Sequence, residues 1–262
     1  MLEVVVTDTL VEASAAMSDR ARFLGGGTLV MRQVNYGDQR FNRIVRCRER
    51  LDEIRAEGDR ISIGSGVTMA RIMGSSELEF LAPAARAVGG PAVRNMATIG
   101  GNLIAPHPYG DMAVALLALD GEVTLADGST QALEQYLTRR RGLVRSISIQ
   151  RPSRDEFRFR KVSRVKPKGA SVMSMAAHLQ RNAGRLSNVR VAYGAMAPTP
   201  IRVTAVEQAL EGASFDLGGI TPALNVATDG LSPPDDALAS AWYRREVAPV
   251  HLRRLLLEED RR

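Results

Sequence analysis

Apolar positions change their spacing along the chain, and each change predicts an element. Leu10, Ala13 and Met17 recur on one helical face. Arg22-Phe23-Leu24 reads as a short strand running into Gly25-Gly26-Gly27, with a helix expected beyond the loop. Ile61 and Ile63 alternate as in a half-buried strand, and Gly64-Ser65-Gly66 breaks it. Helical signals follow at residues 68–73 and 81–88, whereas residues 94–102 hold too much glycine for a helix. Residues 111–119 read as a helix. Its run from Met112 to Leu119 is the longest apolar stretch and is far too short to cross a bilayer. Glu122-Val123-Thr124-Leu125 and the turn Asp127-Gly128 predict half a hairpin, and Ile147 and Ile149 mark another strand.

A second pattern begins past residue 156. The period of two in Phe157-Arg158-Phe159-Arg160-Lys161 puts Phe157, Phe159 and Lys161 on one strand face. Met173, Met175, Ala177 and Leu179 alternate next, and Asn188-Val189-Arg190-Val191-Ala192-Tyr193 forms a third strand closed by Gly194. Helices at 205–211 and 217–227 would cover this sheet. A last helix is expected from Asp235, after Ser232-Pro233-Pro234, with a highly charged end. Gln150-Arg151-Pro152-Ser153-Arg154 is the candidate linker. The expectation is an α+β chain of two layered parts, residues 1–152 (about 1–55 and 56–152) and 157–262.

Composition narrows the function classes. The chain has 262 residues, 45% of them hydrophobic, which allows a sizeable core. Only 5% are aromatic, which argues against reading bases by stacking, and no nucleic-acid module is recognised. The net charge of +6 is carried by arginine, because Lys161, Lys166 and Lys168 are the only lysines. A basic surface could favour an anionic cofactor or an acidic partner, but the charges are scattered, as a compositional bias toward arginine would leave them. Cys47 is the only cysteine, which excludes a cysteine-ligated iron–sulfur cluster within one chain. His107, His178 and His251 are too scattered to propose a metal site or a triad, so no metal ligand and no catalytic residue is assigned. The opening Met1-Leu2-Glu3-Val4 has no basic stretch before a long apolar run, and a cytoplasmic protein is expected.

Two segments carry candidate chemistry. Leu24-Gly25-Gly26-Gly27-Thr28-Leu29 ends a strand in three glycines, where backbone N–H groups can turn toward phosphate oxygens; a flexible turn is the plain alternative. Thr98-Ile99-Gly100-Gly101-Asn102 offers further amide donors with a hydroxyl and a side-chain amide. Asp111, nine residues later, suits ribose hydroxyls or the N-cap of the helix that follows.

Together these segments resemble a known family. Ile61-Ser62-Ile63-Gly64-Ser65-Gly66-Val67-Thr68 is similar to the IGAGVT stretch of the molybdopterin dehydrogenase FAD-binding family, and Arg94 to Asn102 resembles its RNxATIGGN motif. His107-Pro108-Tyr109-Gly110-Asp111 resembles its SPxxD continuation. Tyr193-Gly194-Ala195, Pro198-Thr199-Pro200-Ile201-Arg202 and Glu207 resemble its C-terminal domain. The likeness spans nearly the whole chain in motif order. Leu29 departs from the polar residue usual after Thr28, and Gln150 stands where a proline is usual.

The resemblance implies an FAD-binding domain of the PCMH (vanillyl-alcohol oxidase-like) type over 1–152, then an antiparallel sheet with helices over 157–262. It implies FAD in this chain, its diphosphate on Leu24, Gly25, Gly26, Gly27 and Thr28. Thr98, Gly100, Gly101 and Asn102 would wrap the dinucleotide, Asp111 would reach the adenosine-side ribose, and Val144 and Lys161 would lie near the isoalloxazine. For Val144 a core strand position, and for Lys161 a solvent-facing one, are the plain alternatives. The expected partners are an iron–sulfur subunit holding [2Fe–2S] clusters and a molybdopterin-binding subunit, in a heterotrimer or a dimer of heterotrimers. Electrons would pass from the clusters through FAD to an external acceptor. A self-contained flavin oxidase or reductase, and a flavin-free assembly protein, are the competing readings.

Overall fold

The computed structural model describes residues 2–165 and 169–258 and contains three sheets. The first comprises β1 (Glu3–Thr7), β2 (Ala21–Phe23) and β3 (Arg43–Cys47), all parallel in the order β1-β3-β2. Helix α1 (Leu10–Ala15) crosses from β1 to β2, and α2 (Val30–Asn35) from β2 to β3. A capping box starts α1: Thr9 Oγ1 accepts from the Glu12 N–H while the Glu12 carboxylate accepts from the Thr9 N–H. Leu10 and Ala13 are buried as expected. The pattern missed β1, whose Val4 and Val6 are exposed and show no buried stripe, and β3, whose buried residues Ile44 and Val45 are adjacent rather than alternating.

The second sheet runs β4 (Ile54–Glu57), β5 (Arg60–Gly64), β8 (Val144–Gln150), β6 (Glu122–Leu125), β7 (Thr130–Ala132), antiparallel throughout, and β6–β7 is the expected hairpin. Between β5 and β6 lie α3 (Met69–Met73), α4 (Ala82–Arg86), α5 (Pro91–Met96), α6 (Ile99–Leu103) and α7 (Asp111–Ala118); α8 (Leu133–Arg139) precedes β8. The expectation of irregular chain at 94–102 is corrected: α5 and α6 occupy most of it. Pro91 presets the first turn of α5, and the Thr98 hydroxyl caps α6 by accepting from Gly101 N–H. Close packing overrides propensity here, since a Cβ on Gly100 would stand 2.7 Å from the Ser65 Cβ.

The third sheet is antiparallel in the order β12-β11-β10-β9: β9 (Phe157–Ser163), β10 (Ser171–Asn182), β11 (Arg185–Gly194), β12 (Ile201–Arg202). Met173, Met175, Ala177 and Leu179 of β10 face a core shared with α9 (Thr204–Leu210), α10 (Leu217–Asn225) and α11 (Ala241–Leu257). Ala176 and Ala192, on the other face, join the core built around α7. Every residue of α7 is buried, as a helix apolar all round requires, and β10 and β11 pack on it. Helix α11 begins later than the expected residue 235. Asp235 Oδ1 accepts from Ala241 N–H and Asp236 Oδ1 from Leu238 and Ala239 N–H, local bonds that compete with helix. The charged end lies partly outside the described residues, as do Lys166 and Lys168.

Candidate functional site

A cavity of about 520 Å3 opens between the loop after β2, the α5–α6 corner, segment 104–111 and the end of β9. Leu24 N–H donates to Val45 O at 2.8 Å, which holds Leu24 to β3 and off the cavity wall. Beyond it, Gly25, Gly26, Gly27, Thr28 and Leu29 all line the cavity, and none of their N–H groups has an acceptor among the described residues. Five consecutive donors would be costly if they faced apolar protein. Facing a cavity, they form a concave nest for an anion. Two glycines are required for distinct reasons. Gly27 has a φ of +72°, and a Cβ on Gly26 would fall 1.6 Å from Met96 O.

The second motif contributes less than its glycines suggested. Ile99, Gly100, Gly101 and Asn102 already spend their N–H groups on Val67 O, Ser65 O, Thr98 Oγ1 and Thr98 O. Gly100 does not line the cavity but abuts Ser65, so its expected backbone donation is corrected to a packing role. Thr98, Gly101 and Asn102 do line it. Asn102 Oδ1 accepts from Met112 N–H at 2.9 Å, which leaves Nδ2 without a partner among the described residues.

Asp111 heads α7, where the helix meets the third sheet. The helix N-cap is Gly110, so the N-cap alternative for Asp111 is corrected. Its Oδ2 accepts from Lys161 Nζ at 2.7 Å and its Oδ1 from Ser171 Oγ at 2.7 Å. Lys161 Nζ also donates to Ala87 O at 2.9 Å. Asp111 and Lys161 side chains are 5% and 11% exposed, and both residues line the cavity. A second hydrogen bond on each charged group, Ala87 O for the ammonium and Ser171 Oγ for the carboxylate, is what lets the pair persist at that depth. A ribose hydroxyl would therefore add to a carboxylate already engaged at both oxygens. Ser171 had no motif to reveal it; the fold alone brings it to Asp111. Val144 lies in the core beside Leu125 and off the cavity, which answers to its core alternative.

The loop 104–110 along the cavity is tied down from two sides. Arg140, in a left-handed conformation at φ +48°, donates to Ile104 O and Ala105 O, each at 3.4 Å; burial pulls its guanidinium pKa down. His107 Nε2 meets Asp236 Oδ2 at 2.6 Å, and Arg244 donates to both Asp236 oxygens at 3.0 and 2.9 Å. Burial alone would raise the Asp236 pKa. Hydrogen bonds from His107, Arg244 and the amides of Ala239 and Leu238 outweigh it and hold the carboxyl well below the usual range. Among the described residues no three His, Cys, Asp or Glu side chains group as metal ligands, and no helix is long and apolar enough to cross a membrane.

Comparison with known proteins gives the site its context. Residues 1–148 match the model of the FAD binding domain in molybdopterin dehydrogenase, and residues 158–259 that of the CO dehydrogenase flavoprotein C-terminal domain. The chain is 25% identical to the xanthine dehydrogenase FAD-binding subunit of Escherichia coli O157:H7, over 95% of this chain and 93% of that one. It is 26% identical to the carbon monoxide dehydrogenase medium chain of Hydrogenophaga pseudoflava, over 79% and 77% of the two chains. Among solved structures, a chain of the carbon monoxide dehydrogenase from Hydrogenophaga pseudoflava shares the fold with a TM-score of 0.88 at 23% identity, over 98% of this chain and 96% of that one. A chain of quinoline 2-oxidoreductase from Pseudomonas putida 86 does so at 0.86 and 21% identity, over the same shares.

Proposed function

The chain belongs to the family of FAD-binding domains of molybdopterin dehydrogenases, and from that premise we propose that it is the flavin subunit that relays electrons from a [2Fe–2S] partner to an external acceptor. Membership makes it an oxidoreductase subunit with an FAD-binding domain. The observation that carries the reading at the level of residues is the row of five N–H groups lining the cavity that have no acceptor among the described residues. The residues fit FAD. The amides of Gly25 to Leu29 would receive the diphosphate, neutral donors suited to an anion at a partly dry site. Asn102 Nδ2 and the Thr98 hydroxyl would bond further polar atoms, and Gly101 leaves room beside Thr98 Oγ1.

When bound, FAD supplies the exchange between one-electron and two-electron carriers, which no side chain here can perform. Lys161 and Asp111 form a mutually neutralised pair at the cavity wall, and Ser171 fixes the carboxylate by donating to its other oxygen. Polar groups held in place like this cost no reorganisation when a ligand arrives. The cavity spans elements of both family-matched segments, so the FAD would sit between them.

A single cysteine supports placing the clusters on a partner subunit, and the molybdopterin on a further one, in a heterotrimer or its dimer. The test is the visible spectrum of the purified chain before and after incubation with FAD. Flavin bands that stay with the protein through gel filtration are expected. A protein that remains colourless, alone and with its neighbouring subunits, overturns the reading.

A further inference from the structure

Among the described residues, four charged side chains line the cavity: Arg22, Arg32, Asp111 and Lys161. Asp111 and Lys161 neutralise one another at 2.7 Å. Arg32 pairs with no carboxylate among the described residues, whereas Arg22 lies within electrostatic reach of Asp38. Arg22 is held by the carbonyls of Asp19 and Ala21, with its guanidinium 5.3 Å from the Phe41 ring centre. Arg32 is held differently. It projects from α2, just past the amide nest, and donates from Nη1 to Tyr109 Oη at 3.1 Å; its guanidinium lies 5.7 Å from the Tyr36 ring centre. Tyr109 belongs to loop 104–110, so this bond joins two parts of the cavity wall that are 77 residues apart in sequence.

The charge balance makes Arg32 informative. Backbone amides solvate an anion but do not neutralise it, and a diphosphate carries about two negative charges at neutral pH. The Tyr109 phenol accepts a hydrogen bond without cancelling the arginine charge, and a guanidinium has five N–H donors, most of them still available. We propose that Arg32 is a positioning residue that supplies the counter-charge for the dinucleotide's diphosphate, with Tyr109 holding the guanidinium across the cavity mouth so that the bond straps the bound ligand in. The proposal rests on the FAD reading above and goes beyond it, because neither residue belongs to the glycine loop or to the Thr98–Asn102 segment.

The test is FAD binding to the flavin-stripped chain, followed by fluorescence at low and high salt, with ADP as a competing probe that keeps the adenosine and diphosphate but lacks the flavin. R32M is expected to weaken FAD and ADP about tenfold at low salt, the worth of one charge-assisted hydrogen bond, and much less at high salt. R32K should recover part of the loss. Y109F keeps the charge but frees it, and should speed FAD release about two- to threefold. Equal affinity and equal salt dependence in wild type and R32M overturn the proposal and leave the FAD reading standing. A wild-type chain that takes up no FAD overturns both. If R32M without ligand melts below wild type, Y109F decides: an unchanged release rate overturns the strap.

Discussion

At the scale of single residues, the most exacting environment is that of Asp111. The period of two at Phe157, Phe159 and Lys161 made the burial of Lys161 legible. Its partner Ser171 was not, because a serine fourteen residues from Phe157 acquires meaning only when β10 lies beside β9. Removing the cation should show what the pair contributes. Lys161→Met leaves a buried carboxylate with only Ser171 and is expected to cost about 3–5 kcal/mol, whereas the double change with Asp111→Asn should recover most of it. Urea unfolding of wild type and the two variants checks this, and a K161M chain as stable as wild type would refute it. His178 gives a pH signature. It is buried on β10 with Glu156 at 3.5 Å, Arg190 on β11 opposite it, and Asp120 near by. Burial lowers its pKa below the ordinary 6.5; Glu156 works against the shift, and Arg190 reinforces it. A depressed histidine means that the unfolded chain binds the proton more readily, so stability is intact above 6.5 and falls as pH drops toward the folded value. Denaturant midpoints between pH 7 and 5 should decline for wild type and decline less for His178→Phe. Equal slopes would show that His178 does not contribute.

At the scale of elements, the alternating strands and the amphipathic helices α1, α3 and α4 were readable because each buries one face. The glycine run at 25–27 was readable as a loop, whereas the glycines at 100–101 hid the helix α6 that contains them. Gly26 and Gly100 are there because backbone passes within contact distance of each: Met96 O in one case, Ser65 in the other. The two motifs are thus a packed unit, in which the glycine loop rests on the corner between α5 and α6. Gly26→Ala cannot be absorbed by a flexible side chain, since the obstacle is a carbonyl. The loop must shift away from Met96, which spoils the amide nest while α1 to β3 stay folded around Leu10 and Val45. Circular dichroism close to wild type combined with loss of flavin retention is the expected result. A yellow G26A chain after gel filtration would mean that the loop does not hold the diphosphate. Gly27→Ala tests the other requirement, since its φ of +72° strains any side chain; a loss of about 1 kcal/mol in stability is expected from thermal melts.

At the scale of the whole molecule, the cavity is where three separately cored parts meet. Its walls come from the first sheet's loop, from the α5–α7 region of the second core, and from Lys161 and Gly169 beside the third sheet. The linker expected at 150–154 begins inside β8, which runs to Gln150, and its sequence could not reveal that α7 would be wedged between the second core and the third sheet. That follows from a helix apolar all round, which must be covered on every side. A ligand bound at such a junction stabilises all three parts at once. FAD at 100 times its dissociation constant is expected to add about 2.7 kcal/mol to the folded state. For a chain of this size that is a rise in melting temperature of roughly 5–10 °C, growing with the logarithm of FAD concentration. Hydrogen exchange should slow at residues 25–29 and 104–110 together, because both lie on the same wall system. Slowing confined to 25–29 would place FAD on the glycine loop alone and leave the third sheet outside the site. Coordinated slowing that reaches β9 would show that one cofactor joins the two family-matched segments into a single cooperative unit.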